Sequence, residues 1–136
     1  MSPIRILLGG VATVLLTMSA CGSNANSEPL RTYTLNLRAD DSEPDYMYIA
    51  EDQVDLRVGD QVTFEMRNAG TLDHDLQIVD PQGDDIATAD AVGPGETLTL
   101  TVEFDESGFY QLNCLVDNHL TEHNMQAIVQ VTEPDA

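Results

Sequence analysis

Four side chains in this 136-residue chain could share one piece of chemistry: His74, Cys114, His119 and Met125. Taken singly, each has an ordinary explanation. An inward Met fills a core, a buried Cys behaves as a small hydrophobe, and a lone His is commonly a hydrogen-bonded structural or surface residue. Taken together, a thiolate, two imidazoles and a thioether form a soft donor set. A trigonal plane of two His and one Cys with a weak axial Met is the arrangement that suits a blue copper ion, so one metal site is the economical reading.

Such a site needs elements that bring the donors to one point, and the apolar pattern supplies them. Tyr33, Leu35 and Leu37 alternate with polar residues, as do Val54, Leu56 and Val58, then Val62, Phe64 and Met66. Leu76 and Ile78 follow, then Leu98 to Phe104, Tyr110 and Leu112, and Ala127 to Val131. A period of two is the signature of strands with one buried face. Turn residues punctuate them at Val58-Gly59-Asp60, Pro81-Gln82-Gly83-Asp84, Gly93-Pro94-Gly95 and Glu106-Ser107-Gly108. About seven short strands without a long helical pattern predict an all-β, antiparallel β-sandwich. Asp40 to Ala50 is the poorest region and reads as a loop with a short strand near Tyr46 to Ile49. The phases matter for the site: His74 is in step with Leu76 and Ile78, Cys114 with Tyr110 and Leu112, and Met125 with Ala127, Val129 and Val131. All three point inward at strand ends, and His119, five positions after Cys114, is close enough to turn back toward them.

Charge narrows the possible partners. The chain carries 24 acidic against 5 basic residues, all of the latter Arg, for a formal net charge of −19. That balance argues against binding nucleic acid or an anionic membrane surface through a basic patch, and favours a basic protein partner; a saline habitat would leave the same composition.

These motifs resemble the cupredoxins, the superfamily of plastocyanin and azurin. The resemblance rests on Gly59-Asp60-Gln61-Val62-Thr63-Phe64, on Asn68-Ala69-Gly70 leading to His74, on Phe104-Asp105-Glu106-Ser107-Gly108-Phe109-Tyr110, and on Cys114-x₄-His119 with Met125 beyond. It spans about Val54 to Val131. It implies a Greek-key β-sandwich with a single type 1 copper at one end, cycling between Cu(I) and Cu(II), with His74, Cys114 and His119 as equatorial ligands and Met125 as the axial one. It also implies that the Asp75 backbone amide donates to the Cys114 thiolate, and that electrons cross through the edge of His119, among Leu72, Pro94 and Leu120. Asp73, Asp75, Asp117 and Glu122 would form a negative rim for a basic partner such as a cytochrome or a copper oxidase. One departure stands out. Met125 lies six residues after His119, a longer step than is usual in the family, and His123 falls between them as an alternative axial ligand.

The beginning of the chain reads as an address. Arg5 precedes an apolar run from Ile6 to Met18, too short for a membrane span and typical of an export signal. Met18-Ser19-Ala20-Cys21 resembles the lipobox of bacterial lipoproteins, which makes Cys21 the lipidated first residue of the mature chain. The expected organisation is therefore a signal peptide over 1–20, a flexible tether over 21–30 and one domain over 31–136. With Cys21 lipidated, Cys114 has no disulfide partner, and a metal explains its retention as a thiol.

The function expected is an exported, membrane-anchored copper electron-transfer protein facing the periplasm or exterior. The main rival is a copper carrier without redox work, and zinc is also chemically possible in a Cys-His-His site. An enzyme is disfavoured, because a filled ligand set offers no open position and the sequence shows neither a second copper cluster nor a catalytic triad.

Overall fold

The computed structural model describes residues 30–135. The export segment, Cys21 and most of the tether lie outside the described residues. Nine strands form: β1 (Thr32–Asp40), β2 (Met47–Ala50), β3 (Leu56–Arg57), β4 (Gln61–Asn68), β5 (His74–Val79), β6 (Asp85–Val92), β7 (Thr97–Glu103), β8 (Gly108–Asn113) and β9 (Gln126–Thr132). They make two sheets, ordered β2-β1-β4-β7 and β3-β9-β8-β5-β6, and there is no helix among the described residues.

The sandwich matches the sequence expectation, with two refinements. Beyond the seven alternating segments, β2 is the short strand expected near Tyr46 to Ile49, while β6 was not anticipated. Most sheet neighbours are antiparallel, but β1 pairs with β4 in parallel from Thr32–Gln61 to Ala39–Asn68, and β3 pairs with β9 in parallel. A parallel pair needs a crossover longer than a hairpin, and β2 with β3 supplies it by carrying the chain to the other sheet and back.

Strand β4 shows why these residues adopt this form. Val62, Phe64, Met66 and Asn68 alternate along it and are all fully buried, whereas Glu65 and Arg67 face solvent. A period-two pattern puts every second side chain on the same face, and burying that face supplies the main driving force. Phe64 meets Phe104 edge to face at 6.5 Å, and Phe104 meets Tyr110 at 4.7 Å. The Tyr110 hydroxyl donates to the Glu106 carbonyl at 3.0 Å, so this ring is buried without an unpaired oxygen. In the turn directly before β4, Asp60 is buried: its carboxylate accepts from the Arg57 amide at 2.8 Å and pairs with Arg31 at 3.3 Å.

Asn68 closes β4 and organises the site's end of the sandwich. Its side-chain amide donates to the carbonyls of Leu72 (2.7 Å) and Val92 (2.9 Å), and its side-chain oxygen accepts from the Gly70 amide (2.9 Å). The Asn68-Ala69-Gly70 turn thus ties the segment entering His74 to the end of β6. A buried amide with three such bonds is satisfied, and its contacts fix where β5 begins.

Candidate metal centre

The four residues singled out in the sequence lie where strands end. His74 is the first residue of β5, Cys114 directly follows β8, Met125 directly precedes β9, and His119 sits in the turn between the last two. His74, Cys114 and Met125 are fully buried and His119 is 3% exposed. Nδ1 of His74 lies 3.8 Å from the Cys114 sulfur, and Nδ1 of His119 lies 3.5 Å from it. Donor atoms of these three residues all fall within 4.8 Å of one another.

These spacings fit a shared metal ion. Donors bonded at about 2.0 Å (nitrogen) and about 2.3 Å (sulfur) stand about 3.5 Å apart at a tetrahedral angle and about 3.7 Å at a trigonal one. Cys114 takes part in no disulfide among the described residues.

Backbone bonds hold the loop between Cys114 and Met125 in place. The Cys114 amide donates to the Met125 carbonyl (3.1 Å), the Met125 amide to the His119 carbonyl (2.9 Å), and the His119 amide to the Val116 carbonyl (3.0 Å). The extra length of this loop is taken up by one helical turn, in which the Glu122 amide donates to Asn118. Asp117 (φ 44°) and Asn124 (φ 51°) reverse the chain on either side of it. Asp and Asn are the non-glycine residues that best tolerate the left-handed region.

His123 is occupied elsewhere. Its ring stacks on Tyr46 at 4.0 Å with 4° between planes, and its Nδ1 faces the Pro44 carbonyl at 3.4 Å and the Glu43 carboxylate at 3.8 Å. Tyr46 in turn stands edge-on to His119 at 5.0 Å.

No family model matches the chain, and no curated protein matches it, but solved structures do. Auracyanin B superposes with a TM-score of 0.60 at 16% identity, over 74% of this chain and 88% of that one. Auracyanin A, a "blue" copper protein from Chloroflexus aurantiacus, gives 0.54 at 16% identity, over 72% and 98%. A Cu-containing nitrite reductase from Thermus scotoductus gives 0.52 at 21% identity, over 78% of this chain but 28% of that one. The chain has the cupredoxin fold.

Within this cupredoxin fold the sequence missed a residue. Asp41 lies just past β1, in the segment read as a featureless loop, yet its carboxylate is 7% exposed and stands 3.0 Å from Nε2 of His74. It also accepts from the amides of Thr71 (2.7 Å) and Leu72 (2.8 Å). Burial pushes the Asp41 carboxyl up, but the Leu72 amide, His74 and Thr71 together outweigh it and hold the group below the usual Asp range. An ionised carboxylate only accepts, so in this contact the donor is the Nε2 side of His74. No sequence signal marks Asp41 among so many acidic residues.

Asp75 contributes twice to the candidate site. Its backbone amide, with that of Val116, faces the Cys114 sulfur and counters the effect of burial on the thiol. Its carboxylate accepts from the Leu115 amide at 2.7 Å, which locks β5 to the residue after Cys114. The Tyr48 hydroxyl donates to the Asp75 carbonyl at 2.7 Å. Burial pushes the Cys114 thiol up, and the two amides offset part of that rise. Burial likewise pushes His119 down, reinforced by His74, which keeps its imidazole neutral and able to donate a lone pair.

At the surface of this end, Leu72 and Leu115 are exposed large apolar residues, Pro94 is exposed and Leu120 partly buried. Asp73, Asp117 and Glu122 are exposed, whereas Asp75 is engaged with Leu115. The His119 ring itself is almost wholly covered.

Proposed function

We propose that this protein is an exported, membrane-tethered electron-transfer protein that works through one type 1 copper, held by His74, Cys114 and His119 with Met125 as the axial ligand, and that it is not an enzyme. The observation that carries the reading is the convergence of two imidazole Nδ1 atoms on one buried cysteine sulfur at metal-donor spacing. When bound, the copper supplies a one-electron couple; everything else is done by the chain.

The chain's part is to hold the donors so that neither oxidation state demands movement. His74 is fixed by β5 and Cys114 by β8, and the loop between Cys114 and Met125 is closed by backbone bonds at both ends. A rigid scaffold of this kind keeps the reorganisation on electron transfer small. Burial of all four residues excludes water from the donors. The Asp75 and Val116 amides favour the anionic sulfur that binding requires. Four donors from the chain leave no open position for a substrate, which supports electron transfer over catalysis. The apolar residues Leu72, Leu115 and Pro94, together with Asp73, Asp117 and Glu122, suit brief docking of a basic redox partner, a cytochrome or a copper oxidase.

Titration of the purified protein with Cu(II) tests the centre. The expected result is an intense blue band saturating at one copper per chain, bleached by a one-electron reductant with the copper retained. A colourless complex would refute the type 1 site, and release of copper on reduction would favour the carrier reading. The tether has its own test: Cys21→Ala should move the protein from the membrane fraction to the soluble exported fraction or leave it unprocessed. Lipid is the anchor proposed here, and unchanged membrane association would remove it.

A further inference from the structure

We propose that Asp41 is a positioning residue for the metal centre: it fixes the tautomer and orientation of His74 and, by its charge, lowers the reduction potential. This rests on the type 1 copper reading for the potential but not for the tautomer.

Three independent features of the structure make Asp41 more than a loop acid. Its side chain is only 7% exposed, and its Oδ2 is shared among His74 Nε2, the Thr71 amide and the Leu72 amide, so its position is over-determined. The backbone has been kept clear for it: a Cβ on Gly70 would lie 2.1 Å from Oδ2 and 2.5 Å from Cγ, so only glycine permits this approach. Finally, the segment that carries it also braces the second histidine. Tyr46, five residues on, packs edge-on against His119, and its amide donates to the His123 carbonyl at 3.0 Å. Residues 41–46 therefore form a strap across the end of the sandwich, with a contact to each imidazole.

The physical consequence follows from the charge. A carboxylate hydrogen-bonded to the far nitrogen of a ligating imidazole makes the near nitrogen more basic and stabilises the more positive metal. Outer contacts of this type are worth about 10–100-fold in metal affinity. If that factor falls on Cu(II) rather than Cu(I), the potential moves by about 60–120 mV, at 59 mV per tenfold for one electron.

Asp41→Asn keeps the shape and removes the charge, Asp41→Ala removes both, and Gly70→Ala displaces an intact carboxylate. Two readouts are needed. In the metal-free protein, nitrogen chemical shifts of the His74 ring should report the Nε2-protonated tautomer, lost or mixed in Asp41→Ala. In the copper-loaded protein, Asp41→Asn should stay blue with a potential raised by the amount above, and Gly70→Ala should shift in the same direction. Circular dichroism verifies that each variant retains the sandwich. A merely structural role, capping the Thr71 and Leu72 amides, would lower stability without moving the tautomer or the potential. An Nδ1-protonated His74 in the wild-type protein, or a blue Asp41→Asn variant with unchanged potential, would overturn the proposal. Wild-type protein that does not turn blue with copper would refute the proposed function instead, and the tautomer would still decide whether Asp41 positions His74.

Discussion

Cys114→Ser should abolish the blue absorption and the copper-dependent gain in stability while leaving the sandwich folded. The band requires charge transfer from a thiolate, and a hydroxyl oxygen cannot supply it. The fold does not depend on the sulfur. Its core runs through Val62, Phe64, Met66, Leu76, Ile78, Phe104, Tyr110 and Leu112, all at least 98% buried, and Cys114 is one small residue at its end. Serine is nearly isosteric, and the Asp75 and Val116 amides that face the sulfur would face its oxygen, so the buried hydroxyl finds partners. Copper at a thousandfold over its dissociation constant stabilises the wild-type fold by about 4 kcal/mol, and the variant should lose nearly all of this. Thermal melts with and without copper, beside the visible spectrum, provide the check. A variant that stays blue would remove Cys114 from the centre.

Strand phase was the most legible feature of the sequence, because it depends only on neighbours along the chain. It put His74, Cys114 and Met125 on the inner face, and all three are fully buried. The β6 strand escaped for the converse reason. Its inner positions are Ala87 and Ala89, which pack against the core but are too small to give an apolar alternation, and its outer positions include Asp85 and Asp90. Acidic residues suit a sheet edge, where they discourage pairing with another chain. The parallel pairing of β1 with β4 was likewise beyond reach, since register between segments so far apart is set by packing and crossover path.

Asp41 shows a harder limit. It sits 33 residues before His74, in a stretch of turn-forming acids, and its meaning comes entirely from a tertiary contact. The same is true of Tyr46, whose ring covers His119 and receives His123. Side chains that touch the donors from the far side of a loop leave no periodic trace. Gly70, by contrast, stood within the quoted Asn68-Ala69-Gly70 turn, and the structure supplies its reason: space for the Asp41 carboxylate.

Met125→Leu should raise the reduction potential, and His123→Ala should leave it nearly unchanged. Met125 is fully buried, its amide bonded to the His119 carbonyl and its carbonyl accepting from Cys114, so its side chain starts from the base of the loop that follows Cys114. A thioether donates weakly to the oxidised metal, and an alkyl group of similar volume does not. Leu for Met conserves volume and should cost less than about 1.5 kcal/mol, so the fold survives to be measured. A tenfold loss in Cu(II) preference corresponds to an upward shift of about 59 mV. His123 has a different attachment: it stacks on Tyr46 of the strap and faces Glu43 and Pro44. Its removal should cost about 0.5–1.5 kcal/mol of stacking, read as a lower melting temperature, with only a screened electrostatic effect on the copper. A large shift in potential for His123→Ala with none for Met125→Leu would transfer the axial role to His123. That outcome would require the helical turn from Asn118 to Glu122 to rearrange and Tyr46 to release the His123 ring, while His74, Cys114 and His119 would keep their places.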